Sequence, residues 1–441
     1  MYWRKIDKVA DRIFVFLLML NAASICWPRL INNVFIILLV LNWLLLPNLK
    51  DRIHKCFVDR KILFFIGFFA LYFISFLYAN DVSKGLSQVE KRLSYLVFPI
   101  ILGTVQLKDK EIKKILFGFV LSYLLTSAFL LIYGVMNFLE QGNYEVFFYK
   151  NLTSLVRVHV VYYAMYGIFC IGILTYLFGR KWGNLSSSQR IILLAAYLFC
   201  VFIIVLCASK MMITIGMLML SASIYYSFNN QINFRLLAGG IVSILLVVLL
   251  SFQFNVVKQR FSDLLDTDFS VLRKERLKDL KGPRDPEKHV TIADPINGLN
   301  LRLLLWKIGL ESIIQDNHIF MGVGPADYQG YLNQQYIEYN LDRRTLLGYD
   351  QHNQYMATLV SLGVVGLAYL LLLFILSVRK AFSTKNLMYF IFLTTFMLGC
   401  ISESMLLLNK GIVYFTFFNC LLFFSLENFS LLKPEVRNEK R

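Results

Sequence analysis

A chain of 441 residues would ordinarily suggest two or three soluble domains, but a composition that is 57% hydrophobic with a mean hydropathy of +0.59 excludes that. Many apolar runs approach the roughly 20 residues that a helix needs to cross a bilayer. The formal charge of +17 is mostly a basic rim on loops between these runs, which is a topology signal and not a nucleic-acid surface.

The runs predict an all-α polytopic membrane protein with about 12 transmembrane helices, at 13–28, 31–47, 62–78, 93–105, 114–138, 158–178, 191–208, 211–228, 235–252, 355–378, 386–402 and 410–428. No polar, small-residue cleavage region follows the first run, so it is expected to stay as an anchor. Lys and Arg concentrate in 1–12, 48–61, 106–114, 179–190, 378–386 and 429–441. The short loops of the opposite side hold only Arg29, Lys84, Lys91, Arg92, Lys150, Arg157, Lys210 and Lys410. The bias places both termini in the cytoplasm. The expected organisation is a membrane bundle over 1–252 with about nine helices and one large outer loop over 253–354 that contains amphipathic helices. C-terminal membrane helices over 355–428 and a cytoplasmic tail over 429–441 complete it. Of seven cysteines, only Cys56 lies outside the spans, in a cytoplasmic loop. The outer loop therefore has no disulfide, and no Cys/His spacing suits a structural metal.

In chain order, residues 1–78 read as scaffold. Glu90, Lys91 and Arg92 stand at a membrane entry, either as solvated interfacial charges or as a basic contribution to an outer site. Arg157 and His159 mark the outer end of the sixth span, where a histidine is uncommon. Lys210 sits in the tight turn Ala208-Ser209-Lys210 between two long apolar runs and either snorkels or meets an anion. In the outer loop, the charged stretch 273–288 reads as a solvated crossing. Asp266-Thr267-Asp268 is a weak match to a metal–sugar-nucleotide triplet, and Gly322-Val323-Gly324 reads as a turn, since no strand–helix unit surrounds it.

Residues 299–315 predict a helix with one anomaly. Asn300, Lys307, Glu311 and Gln315 form a polar stripe, while Arg302 falls on the opposite side with Trp306, Gly309 and Ile313. A guanidinium on an apolar face requires an anion, either a phosphate or a carboxylate such as Glu403. His352 and Asn353 open the span at 355, where backbone N–H groups favour anions, and Gly363 and Gly366 then allow another helix to approach. Glu403 and Lys410 flank the last outer turn, where they would form an ion pair in a purely structural reading.

Together Arg157, His159, Lys210, Arg302, His352 and Glu403, with Arg92 and Asn353 in support, suggest a basic outer site suited to a lipid diphosphate. Cations would stabilise the departing diphosphate without a metal, and a neutral imidazole would serve as base for an acceptor hydroxyl.

Residues from about 200 to 420 resemble the bacterial O-antigen ligase and polymerase family. The resemblance rests on the ordered set Ala208-Ser209-Lys210, Arg302 with Trp306, Gly322-Val323-Gly324, His352-Asn353 and Ser402-Glu403-Ser404. The upstream segments EKRLSYLVFPI and RVHVVYYAMYG extend it. It implies a GT-C-like membrane glycosyltransferase, inverting and metal-independent, with no cofactor. The glycan would come from an undecaprenyl diphosphate donor, and the acceptor would be a hydroxyl of lipid A–core at the periplasmic face of the inner membrane. It assigns Arg302 and Lys210 to the diphosphate and His352 to the acceptor or to catalysis; Lys210 stands where Arg is usual and loses the bidentate fork. Arg157 and His159 are expected to add to the donor site. A polysaccharide polymerase and a protein O-oligosaccharyltransferase are alternatives within the family. A transporter of lipid-linked or anionic solutes is the alternative from another class, but it predicts charges near mid-membrane and internal repeats, and neither is seen.

Overall fold

The computed structural model describes residues 2–178, 184–228, 298–339 and 346–425. Among them are helices and no strand. The N-terminal part holds α1 (Tyr2–Ser24), α2 (Arg29–Leu45), α3 (Leu49–Val58), α4 (Arg60–Phe76), α5 (Val82–Lys91), α6 (Ser94–Thr104) and α7 (Asp109–Gln141). Then come the one-turn α8 (Tyr149–Leu152), α9 (Val160–Phe178), α10 (Ser187–Leu206) and α11 (Lys210–Phe228). After the undescribed stretch come α12 (Gly298–Gln315), α13 (Tyr328–Glu338), α14 (Gln354–Ser383), α15 (Leu387–Ser402) and α16 (Asn409–Ser425). Every expected span on described residues coincides with a helix. The span expected at 235–252, the triplet at 266–268 and the charged stretch 273–288 lie outside the described residues.

Among the described residues, four helices are long and apolar enough to cross a membrane: α7, α9, α10 and α14. The pair α2 and α3 makes a fifth if it counts as one span, although it is bent by 110°. The bend is built by Arg52. Its guanidinium donates to the carbonyls of Trp43 at 2.6 Å, Leu46 at 2.5 Å and Pro47 at 3.1 Å, and it lies 4.7 Å from the Trp43 ring centroid. Trp43 and Leu46 lie at the C-terminal end of α2, so the cation caps the helix where the dipole favours it. The segment expected as a plain basic loop, with Cys56 in it, is thus a helix that buries both Arg52 and Cys56.

Helix α9 is the axis of the bundle. It is apolar on all sides, and Val160 through Thr175 are all buried, as expected of a helix surrounded by others. Helices α7, α10, α11 and α15 pack on it, α16 packs on α6, and α4 packs on α6 and α14. A second, smaller core joins α12 and α13 to the first turns of α14, through Leu304, Leu305, Ile308, Leu332, Tyr336 and Val360.

The two cores meet at a break in α14. Gly363 has φ 65° and ψ −168°, inside an otherwise helical run. The break separates the carbonyls of Val360 and Ser361 from the amides of Val364 and Val365, their normal helical partners. The segment between α12 and α13 replaces what is lost. Val323 and Gly324 donate to Val360 O and Ser361 O, each at 2.9 Å, and Val364 and Val365 donate to Ile319 O at 2.8 Å and Phe320 O at 3.4 Å. Gly322 and Gly324 have φ of 72° and 86°, so the glycine pair is indeed a turn. The close approach expected at Gly363 is made by this turn and not by another helix: a Cβ on Gly363 would lie 2.1 Å from Phe320 O. The turn is also tied to α4 and α5 by Tyr78 Oη donating to Met321 O and by Asn80 N donating to Asp327 Oδ2.

Gly363→Ala is expected to lower the unfolding temperature in detergent and to destabilise by at least about 1–3 kcal/mol, because the side chain meets both a glycine-only backbone region and a carbonyl. An unchanged transition by intrinsic fluorescence would show that the turn does not hold the break.

Candidate active site

Arg302 is placed by an anchor one helical turn later. Trp306 Nε1 donates to Gln351 O at 2.7 Å, which fixes α12 against the segment leading into α14. Gly309, a turn beyond, makes room for the buried Gln351 side chain, whose Oε1 accepts from Tyr328 Oη. The wheel reading of α12 is half right. Lys307 and Glu311 lie on a partly exposed face and pair at 4.0 Å, but Asn300 is buried.

Arg302 Nη2 lies 3.5 Å from Glu403 Oε1, so the anion it meets is a carboxylate. The other oxygen of Glu403 lies 3.3 Å from His352 Nδ1. One carboxylate therefore joins a guanidinium and an imidazole from segments fifty residues apart. Arg302 keeps capacity to spare: its Nε is buried without a partner, and its side chain is 32% exposed.

His352 has a left-handed backbone, φ 45°. Asp350 accounts for it: Oδ1 accepts the His352 amide at 2.5 Å and lies 3.7 Å from Nδ1. The Ser404 hydroxyl donates to the same Oδ1 at 3.0 Å and accepts the Asn353 amide at 3.2 Å. Asn353 caps α14, its side chain accepting from Met356 N. With Nδ1 between two carboxylates, the neutral ring carries its proton there, and Nε2, which has no hydrogen bond among the described residues, is left as a lone-pair base.

The electrostatics follow. The hydrogen bond to Glu403 raises the His352 pKa against the opposing effect of burial, with Asp350 and Glu403 adding and Arg302 subtracting. Burial works against the Glu403 charge, but the hydrogen bond from His352 and the charges of His159, His352 and Arg302 outweigh it and hold the carboxyl below its ordinary range.

The other candidates divide. His159 stands against Tyr162, whose hydroxyl donates to Met405 O, so it neighbours the Glu403 hairpin. Lys210 is the first residue of α11, half-buried. Met212, two residues on, packs near Gly399 in the last turn of α15, so α11 begins beside the same hairpin. Arg157 is exposed, and no contact brings it to the cluster. Arg92 is not a solvated interfacial charge. It is 1% exposed, donates to Gln88 O and Oε1, and lies 4.2 Å from the Tyr72 ring centroid. Lys410 does not pair with Glu403; its ammonium donates to the carbonyls of Ile25 and Trp27. Among the described residues no group of three or more His, Cys, Asp or Glu is arranged to hold a metal ion. Asp350 and Gln351 were not singled out from sequence, and Ser404 entered only as part of the Ser402-Glu403-Ser404 set. The available signal was an Asp two residues before a His, the spacing of an Asx turn.

Comparison with family models matches residues 194–371 to O-antigen ligase. Over that stretch the chain is similar to the family. The match takes in Lys210, Arg302, His352 and Asn353, while Glu403 lies beyond it. A comparison with curated proteins gave no match.

Substituting Arg302→Met and Glu403→Gln singly and together is expected to show a coupling of about 1 kcal/mol in stability, as for residues in one ion-pair network. The stability lost in Glu403→Gln should also depend on pH. The raised His352 contributes stability that is complete below its ordinary value of 6.5 and lost as pH rises through the folded value; the lowered Glu403 contributes above 4.5 and loses it on acidification. The difference from wild type is therefore greatest between these values, and a pH-independent difference in melting temperature would contradict the pairing.

Proposed function

We propose that this O-antigen ligase-type protein is a membrane glycosyltransferase that moves a glycan from undecaprenyl diphosphate to a hydroxyl of lipid A–core. The observation that carries the reading is the convergence of Arg302 and His352 on Glu403, with both cationic groups inside the family-matched region. In this reading the chain crosses the bacterial inner membrane about twelve times with both termini cytoplasmic, and the site faces the periplasm.

The chemistry needs two functions. The acceptor oxygen attacks the anomeric carbon, whose bond to the diphosphate oxygen breaks, and the electron pair leaves with undecaprenyl diphosphate. His352 Nε2 takes the acceptor proton as the new bond forms, since Nδ1 is already a donor to Glu403. Attack opposite the leaving group inverts the anomeric carbon. Arg302 meets the diphosphate with the donors Glu403 leaves unused, and Lys210 adds a point charge without a fork. Guanidinium and ammonium groups supply the charge stabilisation, so the reading is of a metal-independent enzyme. The Arg302–Glu403 contact is long at 3.5 Å, and a diphosphate competes well for the guanidinium.

The test uses purified protein in detergent, an undecaprenyl-diphosphate glycan, lipid A–core and a chelator. Wild type is expected to form glycosylated lipid A–core. Arg302→Ala and His352→Ala, folded by melting temperature, are expected to lose at least about 100-fold in rate, the range for an electrostatic or acid–base group. Lengthened donor glycans without lipid A–core product would make the protein a polymerase. Movement of donor between leaflets of liposomes without any transfer would make it a transporter.

A further inference from the structure

We infer that Asp350 is a positioning residue for His352, anchored by the Ser404 hydroxyl, and that it keeps the imidazole Nδ1 a donor whichever partner Arg302 takes. The inference deepens the reading of His352 given above.

The two carboxylates flanking Nδ1 are not equivalent. Glu403 is shared, with one oxygen toward His352 and the other toward Arg302. Any anion that draws Arg302 away alters the charge balance of Glu403 and frees its side chain to move. Asp350 is not shared in this way: among the described residues, His352 is the only cationic group within ion-pair distance of it. Its Oδ1 is fixed twice, by the Ser404 hydroxyl at 3.0 Å and by the His352 amide at 2.5 Å. The amide contact also holds His352 in the left-handed backbone, which a residue with a Cβ adopts only with local support. Ser404 in turn accepts the Asn353 amide, so the hairpin after α15 and the start of α14 are clasped through one hydroxyl. The groups facing the imidazole are the carboxylates of Glu403 and Asp350, the charges of Arg302 and His159, and the edge of the Tyr349 ring. Of the charged groups, Asp350 alone belongs to the same turn as His352, so its distance to Nδ1 is set locally and does not depend on how α12 and α15 settle around a substrate.

The experiment follows the titration of His352 in the full-length protein in detergent by histidine-selective isotope labelling and NMR. The chain has 5 histidines, and the His352 signal is the one lost in His352→Gln. Asp350→Asn is expected to lower its midpoint by about one pH unit, as for loss of a carboxylate within 4–6 Å. Ser404→Ala, which keeps the Asp350 charge and removes its anchor, should lower it by less, and Asp350→Glu should recover part of the loss. In the transfer assay, the acid limb of the Asp350→Asn rate profile should move to lower pH by the same amount, because the base is then neutral at more acid pH. A His352 midpoint unmoved in both Asp350→Asn and Ser404→Ala overturns the proposal; should Asp350→Asn fail to fold, Ser404→Ala decides it. If wild type transfers no glycan, the functional reading fails by itself and the titration still decides the role of Asp350.

Discussion

A backbone that breaks inside a low-dielectric bundle must find new partners for every amide and carbonyl it frees, and this constraint organises the site. At Gly363 the two carbonyls and two amides separated by the break are all taken up by residues 319–324. That exchange joins the turn after α12 to the middle of α14. With the Trp306–Gln351 bond it fixes α12 along the first turns of α14 at two points, one on each side of Gly309. Arg302 and His352 reach a common carboxylate because of these two attachments. The small core of Leu304, Ile308, Leu332 and Val360 fills the space between them.

Within that frame the charges are economical. Glu403 serves two cations, Ser404 serves a carboxylate and an amide, and Asp350 serves a side chain and the backbone of the same residue. Shared partners of this kind make a network whose members cannot be removed independently. They also leave unused valence: the Nε of Arg302 is buried without a partner, and Nε2 of His352 has no bond among the described residues.

The positions of the helices were legible in the sequence, since hydropathy at 20-residue scale is a strong signal. Arg302 and His352 were also legible as a candidate pair, and both approach Glu403. Arg302 stood out because a permanent charge among apolar neighbours needs an explanation, and the choice between phosphate and carboxylate was visible but open. What the sequence concealed were the uses of polar residues that depend on distant partners. Arg52 reads as one more basic loop residue, yet it caps α2. Arg92 reads as an interfacial charge, yet it is buried over Tyr72. Asn300 reads as part of an exposed polar stripe, yet it is buried. Asp350 and Ser404 are individually ordinary, and their significance comes from a contact between residues 54 apart in sequence. Gly363 signalled close approach, but periodicity carries no information about whether a helix or a turn arrives there.

The Lys410 ammonium is bonded to the carbonyls of Ile25 and Trp27, from the first interhelical turn of the chain, 385 and 383 residues earlier. The cation on these carbonyls comes from α16, so the hairpin of α1 and α2 gains this contact only once α16 has packed beside it. A change at Lys410 would therefore be felt at the turn between α1 and α2, although the two are remote in sequence.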